Sequence, residues 1–313
     1  MRADLGLSGS TSPYLEEMVQ LVGAEMPFAR ARDLLGRLTG GSRVSTSTVR
    51  RHTEAAGEGI LTRQTTQMAV SWQAGEKDTV CAALDGCMAL TREDGWREVK
   101  VGEIYVRGDG QRVHYVGDLG GPRTVGHLMR RSLMELRAGR AKKQVALGDG
   151  AVWIWNVFRD AFGIATQVVD YYHVAEQIHA CANILYGEGA MEAGRWAKRL
   201  KGLVWNQGPG PLEEAIRRTR VKGRRGQKAL RGLAGYVENN YRRMDYPAFR
   251  KAGLPTGSGP VESGCKNLVQ IRLKRPGCRW NRRSIRQMVA LRAAILSHTF
   301  LEETTHPSGC PTK

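Results

Sequence analysis

Apolar residues recur at helical spacing near the start of the chain. Leu15, Met18 and Val22 fall on one face of a first helix, and similar spacing predicts a second helix over Phe28–Leu38. After a pair of glycines, a third helix is predicted to begin at Val44. Three short helices separated by turns are typical of a compact all-α module.

The opening of the third helix carries residues that are suited to DNA contact. Ser45 or Thr46 is a plausible N-cap, and two arginines follow within the next turn. A short helix of this kind after a glycine turn matches a helix-turn-helix, whose recognition helix leads into a DNA groove with its N-terminal residues. Three short helices are also common without DNA, and that alternative stays open. The predicted DNA contacts are Thr46, Ser47, Arg50 and Arg51.

The middle of the chain alternates strand-like and helix-like stretches. Strands are predicted over residues 79–85, 96–106, 114–117, 144–149 and 165–170, and the first, fourth and fifth of these end in an aspartate. Helices are predicted over residues 124–137, 152–162, 173–244 and 284–301, with breaks near Gly187 and at 208–211 and a further helix from Val261. Strands that alternate with helices indicate a mixed α/β fold.

Positive charge is concentrated in the last third of the chain. The formal net charge is +18, and residues 190–300 hold 25 Lys and Arg against 6 Asp and Glu. The rest of the chain is close to neutral, with 23 basic and 24 acidic residues. A basic surface of this size favours a nucleic-acid partner, because cations neutralise phosphates and release counterions. A solvated basic face, or one that binds an acidic protein, remains the alternative.

Neither a membrane span nor a zinc site is predicted. The mean hydropathy is -0.40 and no apolar run approaches the roughly 18–20 residues that a transmembrane helix needs. The six cysteines are scattered without a C-x-x-C pair, so we expect reduced thiols. The expected location is the cytoplasm, in association with the nucleoid.

Three acids occupy positions that favour metal-ion chemistry. Asp85 and Asp149 each end an apolar strand and precede a glycine, and Glu262 lies in the first turn of a helix. Divalent cations such as Mg²⁺ take oxygen ligands, and two such ions can activate a nucleophile and stabilise a leaving oxygen. Each acid alone also has an ordinary explanation, as a turn residue or as compensation of a helix dipole. Their order, with a helical stretch before the last acid and basic charge around it, favours the catalytic interpretation.

Several longer stretches resemble bacterial insertion-sequence transposases of the ISKra group, and the resemblance covers nearly the whole chain. The most specific run is Leu147-Gly-Asp-Gly-Ala-Val-Trp-Ile-Trp-Asn. The others are Leu84-Asp-Gly-Cys, Asp170-Tyr-Tyr-His-Val-Ala-Glu, Leu254-Pro-Thr-Gly-Ser-Gly-Pro-Val-Glu-Ser-Gly-Cys-Lys and Arg272-Leu-Lys-Arg-Pro-Gly-Cys-Arg-Trp.

The resemblance implies an RNase H-like catalytic core with a helical insertion, preceded by an all-α helix-turn-helix module. It maps a DDE triad onto Asp85, Asp149 and Glu262, which would bind two divalent metal ions, Mg²⁺ or Mn²⁺ as a substitute. It also implies an Asp-x-x-His element, with Asp170 as an accessory acid and His173 as a catalytic residue beside the metal-binding acids. A capping aspartate and a histidine that merely opens a helix are the ordinary alternative. The expected division is 1–56 helix-turn-helix, 57–76 linker, 77–172 first part of the core, 173–254 insertion, 255–301 C-terminal helices with Glu262, and 302–313 tail.

Basic residues surround the last acid and are expected to hold DNA near the carboxylates. Trp280 stands among them and could stack on an unpaired base, although an isolated tryptophan is more often a core residue. The predicted DNA contacts of this region are Lys266, Arg272, Lys274, Arg275, Arg279 and Trp280.

The expected function is therefore DNA cleavage at element ends and joining of 3′-hydroxyl ends to target DNA. The expected partners are double-stranded terminal repeats and target DNA, with a homodimer or larger assembly in the synaptic complex. A DNA-binding repressor without activity and a nuclease without strand joining are the alternatives. Members of the ISKra group often carry a Cys-rich segment upstream of the helical module. The chain opens at Met1 just before that module, so a truncated or short form is a further alternative.

Overall fold

A computed structural model describes residues 12–40, 44–257 and 259–301, and no side chains for residues 260 and 261. The predicted tail, 302–313, lies outside the described residues. None of the helices in these ranges is both long and apolar enough to cross a membrane.

Within the described residues, three helices precede the sheet. They are α1 (Pro13–Glu25), α2 (Phe28–Leu38) and α3 (Thr46–Arg63). Ser45 is the N-cap of α3, and its hydroxyl accepts a hydrogen bond from the backbone N–H of Thr48 at 3.0 Å, which confirms one of the two predicted caps. The third helix is longer than expected and continues through the first seven residues of the predicted linker.

A five-stranded mixed sheet forms the centre of the chain, in the order β3-β2-β1-β4-β5. Neighbouring strands from β3 to β1 are antiparallel, whereas β1 pairs with β4, and β4 with β5, in parallel. The mixed α/β prediction is confirmed. The strands are β1 (Thr79–Thr91), β2 (Gly95–Val106), β3 (Val113–Asp118), β4 (Lys143–Gly148) and β5 (Thr166–Val169).

Asp85 lies within β1 and not at its end, so this part of the strand prediction is wrong. The strand runs six residues further, and Asp85 pairs with Val101 in β2. Gly86 fits inside a strand because the Glu98 side chain crosses it, and a Cβ there would lie 2.7 Å from Glu98 Cδ. The glycine that signalled a turn therefore serves a close cross-strand approach.

Helices cover both faces of the sheet. Helices α4 (Pro122–Glu135) and α5 (Val152–Ala161) cover one face, on which a Cβ added at Gly102 would contact Met129 of α4. On the other face, α13 (Arg282–Leu296) contributes Val289, which a Cβ added at Gly117 would contact. Helix α11 (Gly259–Cys265) continues through a π-helical segment (Lys266–Gln270) into α12 (Ile271–Leu273) on the same side.

Between β5 and α11 the chain is helical, as predicted. The helices are α6 (Tyr171–Tyr186), α7 (Met191–Gln207), α8 (Pro209–Arg218), α9 (Arg224–Asn240) and α10 (Tyr246–Lys251). The predicted break near Gly187 is confirmed. The break predicted at 208–211 is confined to Gly208, since α8 already begins at Pro209, and a further break separates α8 from α9. Buried Tyr246 anchors these helices to the sheet, since its hydroxyl donates to the Val169 carbonyl at 2.9 Å.

Two buried arginines join the N-terminal helices to the C-terminal ones. The Arg272 guanidinium donates to the Gly23 carbonyl at 3.1 and 3.2 Å. Arg292 donates to the Ala24 carbonyl at 2.7 Å and forms an ion pair with Glu25 at 2.9 Å. Both cations satisfy carbonyls at the end of α1, where the helix dipole is negative. The first helix is thereby fixed to the layer that carries α12 and α13.

Candidate active site

Asp85 and Asp149 stand side by side on neighbouring parallel strands. Ala83 of β1 is level with Leu147 of β4. Asp85 follows two residues later within β1, and Asp149 follows two residues later, directly after the end of β4. Side chains two residues apart lie on the same face of a strand, so both carboxylates project from the same side of the sheet. The pairing of the two acids, which the sequence could only suggest, follows from this register.

Asp170 lies one strand further along, and we call Asp85, Asp149 and Asp170 the acid row. Gly148 of β4 is level with Val169 of β5, so the next residues, Asp149 and Asp170, are also level. Asp170 is buried, and its Oδ1 accepts a hydrogen bond from the Tyr172 N–H at 2.6 Å as the N-cap of α6. The predicted capping role is confirmed, and the same residue stands beside the acid pair.

The environment of Asp85 is unfavourable for a lone negative charge. Burial raises the pKa of its carboxyl, and the neighbouring Asp149 raises it further. Opposing this, the Gly86 N–H donates to Oδ1 at 2.7 Å, the Cys265 thiol donates to Oδ2 at 3.5 Å, and the charge of His173 also lowers this pKa. A cation bound between the two aspartates would relieve the burial and repulsion that disfavour the ionised form.

Asp149 is held in place by the start of α5. Its Oδ1 accepts a hydrogen bond from the Ala151 N–H at 2.7 Å, and its backbone carbonyl accepts one from the Tyr236 hydroxyl at 2.8 Å. Between them, Gly150 has a φ of +101°, and a Cβ there would lie 2.7 Å from the Tyr236 ring. Burial raises the pKa of Tyr236 well above its ordinary range, and Asp149 and Asp170 raise it further. Tyr236 therefore remains a neutral donor beside the acid row.

His173 lies in the first turn of α6, half-buried, with Nδ1 3.2 Å from the Glu176 carboxylate. Its charge lowers the pKa of the Asp85 carboxyl. The structure thus brings His173 and Asp170 together with the two aspartates.

Glu262 is exposed on the first turn of α11. One turn later on the same helix, the thiol of buried Cys265 contacts Asp85. Helix α11 therefore packs against Asp85 through Cys265, and Glu262 is exposed three residues earlier on the same helix.

The donor types fit a divalent cation only in part. Asp85 and Asp149 lie at the same height on neighbouring strands, and their carboxylate oxygens are ligands of the kind that Mg²⁺ takes. Among the side chains that the structure describes, no three His, Cys, Asp or Glu groups converge to hold a metal ion. The complete set of Asp85, Asp149 and Glu262 is thus not assembled in this conformation.

Four of the predicted DNA contacts line one cavity of about 330 Å³, namely the exposed Arg50 and Arg279 and the buried Arg272 and Trp280. Arg50 comes from α3, and Arg279 from the segment before α13. Arg92 lies on the same cavity and donates to the Arg279 carbonyl at 3.3 Å. Arg50 and Arg279 are exposed and positively charged, as residues that contact DNA would be, and their role in DNA binding stays a prediction.

Arg272 and Trp280 are buried, which corrects their assignment as DNA contacts. Arg272 is only 1% exposed, and burial lowers its pKa to about 10. Its guanidinium lies over the rings of Phe28 and Trp280, at 4.6 and 4.8 Å from their centroids. Trp280 is 8% exposed, and its backbone forms an isolated parallel β-bridge with Thr91. Both residues stabilise the junction of α1, α2 and the C-terminal layer.

The remaining predicted contacts are accessible or partly accessible. Lys274 lies over the exposed Trp96 ring, with Nζ at 5.8 Å from its centroid, and Arg275 donates to the Ile271 carbonyl at 2.8 Å. Thr46 accepts a hydrogen bond from Arg32 at 3.3 Å. The other three, Ser47, Arg51 and Lys266, are exposed.

Sequence reasoning missed three residues around the acid row. Cys265 carries no pattern that would place it beside Asp85, and Tyr236 stands 87 residues from the acid whose carbonyl it binds. Glu103 is buried on β2, directly across from Ala83, and its Oε2 has no hydrogen-bond partner among the described residues. Burial raises the pKa of this carboxyl to about 8. Alternation within the predicted strand at 96–106 could have indicated that Glu103 faces inward.

No protein-family model matches the chain, and no curated protein is found as a relative.

Proposed function

We propose that the protein is a DDE-type transposase that cleaves DNA at the ends of an insertion sequence and joins the 3′-hydroxyl ends to target DNA. The observation that carries the proposal is the level placement of Asp85 and Asp149 on neighbouring parallel strands. The strand order β3-β2-β1-β4-β5, with helices on both faces, is compatible with an RNase H-like core. The net charge of +18 supports a DNA partner.

The acid row would perform in-line phosphoryl transfer. Asp85 and Asp149 would hold divalent ions, which supply stabilisation of charge at the attacking and leaving oxygens. The Gly86 N–H and the Cys265 thiol orient the Asp85 oxygens, and the Ala151 N–H orients Asp149. The oxygen of water or of a 3′-hydroxyl forms the new P–O bond as the opposite oxygen leaves. His173 would contact the scissile phosphate.

The decisive experiment incubates the protein with duplex DNA that contains the flanks of its own gene, in Mg²⁺ or Mn²⁺. Asp149→Asn keeps an acceptor for the Ala151 N–H, so we expect a folded protein whose cleavage falls at least about 100-fold. Glu192→Gln, on an exposed part of α7, removes the same charge away from the acid row and should cleave normally. Equal cleavage by the wild type and Asp149→Asn would reject the proposal. Cleavage without joining would identify a nuclease instead.

A DNA-binding repressor without catalysis is the second candidate, and the exposed position of Glu262 favours it. Glu262→Gln distinguishes the two. An exposed substitution should change the free energy of unfolding by less than about 0.5 kcal/mol. If α11 moves to bring Glu262 to Asp85 on DNA binding, cleavage should nevertheless fall about 100-fold or more. If the wild type binds DNA without cleaving it, and Glu262→Gln binds equally well, the protein is a DNA-binding repressor.

Joining two element ends requires them to be held together, so we also propose a homodimer or larger assembly on DNA. Light scattering of the protein with and without paired end duplexes measures this directly. A complex that holds one chain and one duplex at every ratio would contradict it.

A further inference from the structure

A long recess follows the N-terminal half of α4 on the sheet face opposite α13. Its first part, about 390 Å³, lies between α4 and α5. Arg123, His127 and Arg130 line it from α4, and Trp153 and Asn156 line it from α5. All three α4 side chains are exposed. They fall on one side of the helix because their spacings are close to one turn.

The recess continues around α4 towards α3 and α13. A second part, about 410 Å³, shares Arg123 and His127 with the first and reaches Arg286. A third part, about 780 Å³, shares Asp118 and Arg286 with the second. Because the parts share lining residues, they form one continuous surface, which we call the α4 trough. Its basic lining residues are Arg123, His127, Arg130, Arg282, Arg283 and Arg286.

The α4 trough has an excess of positive charge, because five arginines line it together with three acids, Glu58, Asp118 and Asp160. Arg282, Arg283 and Arg286 each lie within 3.3 Å of one acid, namely Asp94, Glu58 and Asp118. Within the described part of the chain, neither Arg123 nor Arg130 has an ion pair. These two cations are the ones that an anionic partner can neutralise without displacing a carboxylate.

One end of the trough lies at the same end of the sheet as the acid row. Trp153 belongs to the first turn of α5, four residues after Asp149. Lys100 Nζ lies 4.6 Å from the centroid of its ring, and Lys100 pairs with Gly86, the residue next to Asp85. A phosphate chain that lies along Arg130 and Arg123 therefore reaches the same end of the sheet as both aspartates, on the face covered by α4 and α5. Asp85 itself projects from the other face, towards Cys265.

We propose that the α4 trough binds the sugar-phosphate backbone of duplex DNA and leads it to the end of the sheet that carries Asp85 and Asp149. The proposal rests on the proposed function and adds the path of the substrate. Exposed arginines over a shallow, open surface suit a rigid duplex, which is held by phosphates and not by its bases. The binding is consequently expected to be independent of base sequence.

The test measures binding without divalent ions, so that catalysis does not enter. Anisotropy of a labelled duplex is followed over a range of NaCl concentrations for the wild type and Arg123→Gln/Arg130→Gln. Each lost phosphate contact reduces the salt slope of log K by roughly 0.9, so the double variant should lose roughly 1.8. Arg123→Lys/Arg130→Lys should restore most of the slope, because it keeps the charges.

The matched control is Arg140→Gln/Lys142→Gln, which removes two exposed cations at the opposite end of β4 from Asp149. Its slope should stay close to that of the wild type. If both double variants lose the same slope, or neither does, the α4 trough is not the binding path. Tighter binding of single-stranded RNA through the same two arginines would also overturn the inference.

Failure of this proposal can be distinguished from failure of the proposed function. Wild-type cleavage with an unchanged slope in Arg123→Gln/Arg130→Gln rejects the trough and leaves the transposase proposal standing. A reduced slope in a protein that never cleaves supports the trough as a DNA surface and rejects catalysis.

Discussion

Gly150 lies between Asp149 and α5, and two independent features require glycine there. Its φ of +101° is unfavourable for other residues, and a Cβ would lie 2.7 Å from the Tyr236 ring. We expect Gly150→Ala to lower the free energy of unfolding by at least about 1–3 kcal/mol and to weaken the hydrogen bond from Tyr236 to the Asp149 carbonyl. Urea denaturation measures the first effect.

Gly95→Ala is the matched control, since Gly95 has a φ of +71° but no atom within 4 Å of an added Cβ. It reports the backbone penalty alone, roughly 1–2 kcal/mol. Equal losses in the two variants would show that the Tyr236 ring does not constrain Gly150.

Glu103 provides a second residue-scale prediction, in the pH dependence of stability. The folded protein holds its carboxyl proton up to a pKa of about 8, whereas the ordinary value is 4.5. Between these values the folded state binds one proton more than the unfolded state, so the free energy of unfolding falls as pH rises. Glu103→Gln removes this titration and keeps the shape of the side chain.

The free energy of unfolding of Glu103→Gln, relative to wild type, should therefore rise from pH 4.5 to 8 and level off above. The expected change is on the order of 5 kcal/mol. Glu135→Gln on the exposed side of α4 should give a curve parallel to that of wild type. Parallel curves for Glu103→Gln as well would mean that Glu103 is ionised when buried.

At this scale the sequence indicates residue types better than their surroundings. Asp149 and Asp170 could be predicted because each follows a short apolar strand. The burial of Arg272 could not, because a guanidinium serves equally as a phosphate ligand or as a donor to the end of a distant helix. The nearest sequence signal is the neighbouring Trp280, whose ring it covers at 4.8 Å.

Among the elements, α1 depends on partners far along the chain. Arg292 is 2% exposed and donates to carbonyls of Ala24 and Leu268 at 2.7 and 3.0 Å. Arg292→Met would leave these buried acceptors and Glu25 without their cation, so we expect a loss of roughly 3–5 kcal/mol in the free energy of unfolding. Chemical denaturation of the variant measures it.

Arg283→Met is the control, since the Arg283 side chain is 75% exposed and its ion pair with Glu58 is at the surface. We expect a change below about 1 kcal/mol. Similar losses in both variants would indicate that the buried hydrogen bonds of Arg292 add nothing to stability.

Element boundaries were predictable where caps or breaks mark them. Phe28–Leu38 has the predicted bounds, and Ser45 caps α3 as expected. The strand that contains Asp85 was predicted to end there because Asp-Gly usually signals a turn. In the structure β1 continues and pairs with β2 along the whole of its further length. The π-helical segment after Cys265 leaves no pattern in the sequence, and its effect on which side chains face inward was therefore not foreseen.

For the whole molecule, the sequence shows that positive charge is concentrated in the last third of the chain, but it does not show which cations share a surface. The α4 trough combines Arg123 and Arg130, from the nearly neutral part of the chain, with three arginines at the start of α13. Only the tertiary fold brings them together. The level placement of Asp85 and Asp149 likewise depends on strand register, which apolar periodicity does not specify.

The helices α3 and α13 pack closely and join the N-terminal helices to the rest of the protein. A Cβ added at Gly57 would overlap the Gln287 carbonyl and lie 2.6 Å from its carbon. Gly57→Ala must therefore separate the two helices, at a cost of roughly 1–3 kcal/mol that outweighs the higher helix propensity of alanine. Since α1 is also tied to α13 through Arg292, we expect the whole protein to unfold as one unit at a lower midpoint.

Gly59→Ala, two residues later on the same helix, is the control for this prediction. An added Cβ there meets only the end of the Arg63 side chain at 3.8 Å, so the variant should gain up to about 1 kcal/mol. Far-UV circular dichroism and tryptophan fluorescence should give coincident unfolding curves for both variants, because the tryptophans lie outside α1, α2 and α3 while these helices contribute to the ellipticity. If Gly57→Ala shifted only part of the ellipticity and left the fluorescence transition unchanged, the N-terminal helices would form an independent domain, as the predicted linker at 57–76 implies.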